Sequence, residues 1–295
     1  MKKPVFTGSS VAVVTPFNLD LSVNYDKLKE LIEFNIANGT DCITICGTTG
    51  EASTLDDSEH KKCIEVCVNT VNGRVPVIAG TGSNDTAYAL ELSLFAKEAG
   101  ADALLSVTPY YNKTTQKGLV KHFTYIADRV DLPMILYNVP SRTGISIAAE
   151  TYKELSLHKN INGTKEASGN FKLITQTRAL CGDELNIWSG NDDEVVPILA
   201  LGGRGVISVA ANIVPKIMHS ICALYFEGKT AEAAELAIKW FDLCNDIFVE
   251  VNPIPIKTAM NIMGMNAGAL RMPLYEMAEK NEALLKNTLS KYGLV

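Results

Sequence analysis

Basic charge is the first thing this chain lacks. Its 295 residues carry 27 Lys and Arg against 33 Asp and Glu, a formal net charge of -6. No cationic excess is available to neutralise phosphates, which excludes a general nucleic-acid binder. Long apolar runs are missing as well. Nothing approaches the roughly 18 apolar residues of a membrane span. The two lysines of Met1-Lys2-Lys3-Pro4 are followed by no apolar stretch of the signal-peptide kind. A cytoplasmic protein with no membrane partner is expected. Histidine is scarce. His60, His122, His158 and His219 lie far apart in segments of helical pattern, so no metal site is expected. The seven cysteines are odd in number and scattered. Cys42 and Cys46 share a strand-like parity, and Cys63 and Cys67 lie one helical turn apart among Ile64 and Val66. Neither pair has a zinc-like partner set, so the cysteines read as small buried hydrophobes in a reducing compartment.

What is present is a repeating pattern. A short β-branched run ends in Gly, Thr, Ser, Pro or Tyr, and an amphipathic helix follows. The runs cover residues 11–17, 42–48, 76–81, 103–109, 133–139, 161–168, 185–189 and 205–210. Helical patterns between them include 25–38, 58–71, 86–99, 117–129 and 195–201, with Gly39, Gly73, Gly100 and Gly182 as helix-ending residues. The strands are nearly continuous apolar runs, as in a parallel sheet covered on both faces. Eight strand–helix units predict a (β/α)8 TIM barrel. A doubly wound open sheet is the alternative, weakened by the count of eight and by the lack of a G-x-G-x-x-G turn after the first strand. Beyond residue 214 the pattern is all helix, over 231–251, 256–263 and 274–292, with Pro253 and Pro255 as punctuation. The expected division is a catalytic barrel over residues 1–228 and a C-terminal helical extension over 229–295, packed on the barrel or in a subunit contact.

Active sites of such barrels lie at the C-terminal strand ends. Strand six carries Lys165 there, sharing a face with Ile161, Gly163 and Ala167. Gly163 is expected to leave room for the lysine stem. A lysine that loses its proton attacks carbonyls as a free amine. A lysine that snorkels to solvent is the bland alternative. Tyr137 lies at the matching level of strand five, where a phenol can shuttle protons for a Schiff-base lysine. Thr48 and Thr49 sit between Gly47 and Gly50, offering hydroxyls and N–H groups to a small carboxylate. Arg142, in a Pro-Ser-Arg-Thr-Gly loop, suits a second carboxylate. Tyr110 and Tyr111 line the mouth or reach a neighbouring subunit. No second cation on the adjacent strand ends explains a neutral Lys165.

Three segments together carry a resemblance: Gly47-Thr48-Thr49-Gly50-Glu51, Tyr137-Asn138-Val139-Pro140-Ser141-Arg142-Thr143-Gly144 and Gly163-Thr164-Lys165-Glu166-Ala167-Ser168-Gly169-Asn170. They resemble the signatures of the dihydrodipicolinate synthase family, among the pyruvate-dependent class I aldolases, over nearly the whole chain from Gly8 to Leu270-Arg271-Met272-Pro273-Leu274. The resemblance implies that Lys165 forms a Schiff base with pyruvate. Tyr137, Thr48 and Tyr111 form the proton relay, with Tyr111 supplied by a partner subunit. Thr49 binds the pyruvate carboxylate, the Ile207 carbonyl lies near the pyruvate pocket, and Arg142 holds the carboxylate of aspartate semialdehyde. The implied product, 4-hydroxy-tetrahydrodipicolinate, belongs to diaminopimelate and lysine biosynthesis. No cofactor and no metal are implied, and a homotetramer built as a dimer of dimers is. His60, Asn84 and Tyr110 match the lysine effector site of inhibited members. Tyr88, Asp57 and Ala52 stand where those members carry glutamate, histidine and serine, so weak or absent inhibition is expected. A sister aldolase acting on sugar acids would keep Lys165, Tyr137 and Thr49 but has no need of Arg142. A barrel that only binds a metabolite would be expected to have lost the lysine or its relay.

Overall fold

The eight apolar runs form eight strands: β1 (Gly8–Ala12), β2 (Cys42–Ile45), β3 (Val77–Gly80), β4 (Ala103–Val107), β5 (Met134–Asn138), β6 (Ile161–Glu166), β7 (Asn186–Ser189) and β8 (Gly205–Ser208). The computed structural model describes residues 2–295. Each strand pairs in parallel with the next, and β8 returns to β1 in the register Ser10↔Ile207. The sheet therefore closes without an edge, as the (β/α)8 barrel. Helices Tyr25–Ala37, Asp57–Val71, Thr86–Glu98, Gln116–Ala127, Ala149–Ser156, Phe171–Cys181, Val195–Ala200 and Pro215–Phe226 wrap it. Several start on side-chain caps. Asn24, Asp85, Thr115 and Asn170 each accept a first-turn N–H, and Asp56 forms a reciprocal capping box with Glu59. Each such cap stabilises its helix by about 1 kcal/mol. The four glycines read as helix ends all take positive φ.

Strand alternation sorts the core into two layers. Ala12, Cys42, Ile78, Leu105, Ile135, Tyr137, Trp188 and Ile207 fill the barrel interior, where Phe6 stacks on Trp188 at 5.2 Å. The opposite parity, including Val11, Ile43, Val77, Leu104, Leu136 and Val206, packs against the helices. All seven cysteines are free and buried. Among the described residues no helix is long and apolar enough to cross a membrane.

Four local expectations are corrected. The first strand covers Gly8–Ala12 rather than 11–17. Val13 and Val14 are buried, but only Val13 N–H continues the ladder, to the Thr44 carbonyl. Apolar burial continued beyond the hydrogen bonding, so the pattern overran the strand. Cys46 does not share the interior parity of Cys42, because its φ of 55° turns it into the helix-facing layer. His158 lies in a turn rather than a helix. The single helix expected over 231–251 is broken at Trp240 into Thr230–Lys239 and Phe241–Asp246. There the indole stacks on Tyr292 at 4.5 Å, so packing overrides the helical pattern.

The C-terminal helices Ile254–Ile262 and Glu279–Lys291 share the helix-facing core through Ile256, Met260, Leu285 and Leu289. Polar contacts also tie this segment to the mouth. Lys257 Nζ forms a buried ion pair with Glu51 at 2.8 Å and donates to the Thr15 and Ala269 carbonyls. Arg271 makes a two-pronged contact with Glu59, 2.6 Å on each side.

Candidate active site

Lys165 is the penultimate residue of β6, in register with Tyr137 on β5 and Trp188 on β7. It points into the barrel and is only 5% exposed. Its stem passes Gly190, not Gly163. A Cβ on Gly190 would stand 2.7 Å from Ala167 Cβ and 3.2 Å from Lys165 Cε, so a side chain there would crowd both. Gly163 instead admits Trp188, whose ring carbon would lie 2.6 Å from an added Cβ. The amine rests 4.6 Å from the centre of the Tyr137 ring. Among the described residues no hydrogen bond or ion pair holds it.

Burial pushes the Lys165 amine down to about 8, Asp192 pulls it up, and Arg142 pushes it further down. At pH 7 roughly one amine in ten is then neutral, against about one in three thousand for a solvated lysine. The missing second cation is Arg142 itself. It reaches over the mouth from the short helix Pro140–Thr143. Burial raises the Tyr137 phenol, while Arg142 and a hydrogen bond with the Thr48 hydroxyl lower it. The Thr48 hydroxyl is thus hydrogen-bonded to the tyrosine whose ring lies beside the Lys165 amine.

Thr49 is buried in the turn after β2, where Gly50 N–H closes on the Gly47 carbonyl at 3.1 Å. Its Oγ1 accepts from Asn252 Nδ2 at 3.0 Å. A hydroxyl that accepts there keeps its own proton free for an anion. The Asn252 carbonyl accepts from Arg142 Nη2 at 3.1 Å. One residue of the C-terminal segment therefore couples both carboxylate-binding candidates. Sequence reasoning missed Asn252, because a lone Asn before Pro253 carries no motif.

Behind Lys165, on the helix-facing side, Glu166 accepts from Asn138 Nδ2 at 3.0 Å and Tyr152 OH at 3.0 Å. Asn138 and Glu166 are register partners, so their bond fixes the alignment that sets Tyr137 beside Lys165. Burial raises the Glu166 carboxyl, opposed by hydrogen bonds from Ser168, Tyr152 and Asn138. Asp192 lies three residues past the end of β7, at the same rim of the barrel.

Thr48, Tyr137 and Arg142 share a cavity of about 350 Å³ with His60, Tyr88 and Tyr110. Ile207 is buried in β8, in the same interior layer as Tyr137. His60 is buried, with Nε2 bonded to the Gly80 carbonyl at 2.8 Å. Asn84 lies outside this cavity, where its carbonyl accepts from Asn112 Nδ2 at 3.0 Å. Tyr111 is not brought to Lys165 within the chain: it is 93% exposed.

The profile of the dihydrodipicolinate synthetase family matches residues 5–292. The chain belongs to that family. It is 55% identical over 291 residues to the 4-hydroxy-tetrahydrodipicolinate synthase 1 of Clostridium acetobutylicum, covering 99% of each chain. It is equally 55% identical over 295 residues to the 4-hydroxy-tetrahydrodipicolinate synthase of Acetivibrio thermocellus, covering 100% of each. The chloride-inhibited dihydrodipicolinate synthase of Acinetobacter baumannii, solved with pyruvate, superposes with a TM-score of 0.96 at 42% identity, over 98% of this chain and 99% of that one. The family membership agrees with the signatures around Thr48, Tyr137 and Lys165.

Proposed function

We infer that this chain is a lyase-type synthase that condenses pyruvate with L-aspartate 4-semialdehyde to give 4-hydroxy-tetrahydrodipicolinate, on the path to diaminopimelate and lysine. The observation that carries the chemistry is the buried, partnerless Lys165 amine in register with Tyr137. In its neutral form the amine attacks the pyruvate ketone carbon. The ketone oxygen takes two protons through Tyr137 and Thr48, one of them given up by the attacking nitrogen, and leaves as water, giving an iminium. Loss of a methyl proton gives an enamine, whose carbon attacks the aldehyde. The new alkoxide takes a proton from the same relay. The substrate's amino nitrogen then attacks the imine carbon, closes the ring and releases Lys165.

The carboxylates divide between two sites in this reading. Thr49, its hydroxyl proton left free by Asn252, holds the pyruvate carboxylate, with the Ile207 carbonyl near the pyruvate. Arg142 holds the carboxylate of the semialdehyde, which separates this activity from sugar-acid aldolases. Tyr111 completes the relay from a partner subunit, and its exposure supports that role. We propose a homotetramer, a dimer of dimers, acting in the cytoplasm. The division at residue 228 separates a barrel from a helical extension. Asn252 and Lys257 reach from the extension into the mouth, so the two parts work as one unit.

The test is reduction with borohydride in the presence of pyruvate. The expected outcome is one covalent pyruvate adduct, on the Lys165 peptide, with turnover when aspartate semialdehyde replaces borohydride. An unmodified Lys165 peptide would overturn the Schiff-base reading.

A further inference from the structure

Asp192 is a buried carboxylate with no cationic partner in contact among the described residues. It opens a short turn, Asp192–Glu194, three residues past the end of β7. Oδ2 accepts from Val209 N–H at 3.0 Å and from Ala210 N–H at 2.9 Å, which stitches β7 to the end of β8. Oδ1 is buried without a close hydrogen-bond partner, and the Ser208 hydroxyl is the one further donor that holds the carboxyl down. Among the described residues no Lys, Arg or His forms an ion pair with it. A carboxylate so buried is costly unless a positive charge meets it at some stage. The backbone leading to it runs against the nucleophile, since Gly190 packs on Lys165 Cε and its N–H donates to the Glu166 carbonyl at 2.7 Å.

The reaction supplies such a charge. The lysine must be neutral to attack, yet dehydration of the carbinolamine leaves a positive iminium nitrogen inside the barrel. An unpaired cation there is strongly disfavoured. Arg142 helps the first requirement and opposes the second. We propose that Asp192 is the positioning residue that holds positive charge on the Lys165 nitrogen, acting as the anion that balances the iminium.

The electrostatics run the same way. Asp192 raises Lys165, and Lys165 in turn lowers Asp192, whose carboxyl burial otherwise raises. The groups facing Asp192 are Lys165, the Ser208 hydroxyl, the Val209 and Ala210 N–H groups and, from the helix Phe241–Asp246, the Cys244 thiol. Burial keeps that thiol protonated, so it adds no competing charge. Asp193 and Glu194 follow in the same turn, and Asn191 Nδ2 donates to Glu194 at 3.0 Å.

This inference rests on the Schiff-base reading, and one experiment separates their failures. Asp192→Asn keeps the shape and an acceptor for both N–H groups but removes the charge. The pyruvate concentration that half-saturates borohydride trapping is expected to rise at least about tenfold. At the same time the pH midpoint for amine attack moves lower, because the ammonium has lost its stabilising anion. A merely structural role weakens trapping without moving that midpoint, and this result would overturn the proposal. So would trapping by Asp192→Asn equal to that of the unsubstituted enzyme. If the unsubstituted enzyme itself fails to trap, the functional reading fails instead. If Asp192→Asn does not fold, infrared difference spectra of the unsubstituted enzyme labelled at aspartate carboxylates take its place. One ionised carboxylate band is expected to shift on adding pyruvate, and no shift would overturn the assignment.

Discussion

Two lysines of this chain are almost completely buried, and they do opposite things. Lys165 is 5% exposed at the end of β6, and Lys257 is 1% exposed in the helix Ile254–Ile262. Burial lowers both amines. For Lys257, Glu51 offsets part of what burial removes. Glu51 sits 2.8 Å away, and the Thr15 and Ala269 carbonyls accept its other protons. Its three donors are spent, so it is a charged tether between the C-terminal segment and the mouth. Lys165 has a ring at 4.6 Å, a repelling Arg142 and no acceptor. Burial alone therefore does not make a nucleophile. Withholding the acceptors does.

Exchanging each lysine breaks this comparison most severely. Lys165→Met removes the proposed nucleophile, and kcat is expected to fall by at least about 10³-fold. Thermal stability should stay level or rise. The folded-state amine sits near 8, below its unfolded value, so burying it lowers stability as pH falls from about 10.5 toward 8. Lys257→Met should do the reverse. It leaves Glu51 buried and unpaired, at a cost of about 3–5 kcal/mol, read as a lower denaturation midpoint. The double variant Glu51→Gln with Lys257→Met should recover part of that loss. A Lys165→Met enzyme that still turns over, or a Lys257→Met enzyme of unchanged stability, would erase the distinction.

The same contrast marks what the sequence makes legible. The barrel was legible because eight β-branched runs recur with helices between them, and burial on both faces forces that composition. Lys165, Tyr137, Thr48 and Arg142 were legible because strand ends are where function gathers, and parity decides which residues face inward. The parts that escaped act across long sequence distances. Lys257 and Glu51 are 206 residues apart, and Asn252 and Thr49 are 203 apart. No periodicity encodes such pairs. Gly163 was assigned the space for the lysine stem because it lies on the same strand, yet Gly190, just past the end of the next strand, provides it. Cross-strand packing decided that, and a single strand's pattern does not contain it. The role of Arg142 was half legible: its place at the mouth was evident, its effect on the Lys165 proton was not.

That effect sharpens the comparison at a smaller scale. Arg142 pushes Lys165 down. Replacing it with Leu should raise the amine, so the acid limb of kcat/KM for pyruvate moves to higher pH. The KM for aspartate semialdehyde should rise by about 10- to 100-fold, the worth of a charge-assisted carboxylate contact. Arg142→Lys separates the two roles. It keeps the charge, so the acid limb stays in place, but it loses the planar fork, so KM still rises. An unmoved limb in Arg142→Leu would mean that burial alone tunes Lys165.

The smallest expected effect concerns free lysine as an inhibitor, a third amine that would need a partner. The cavity beside the mouth holds His60, Tyr88 and Tyr110, and no carboxylate lines it. The nearby Asp57 is engaged by Lys61 at 2.8 Å and by the Tyr88 hydroxyl at 3.4 Å. His60 Nε2 is engaged with the Gly80 carbonyl. Arg142 adds positive charge to the same cavity wall. A diamine entering there meets no free anion, the reverse of what Glu51 offers Lys257. Inhibition should be weak or absent, and submillimolar inhibition in a steady-state assay would contradict this account. Tyr88→Glu should tighten it by about a hundredfold, the order of a buried charge pair regained. The same substitution should leave borohydride trapping of Lys165 intact, since Tyr88 does not contribute to holding the nucleophile neutral.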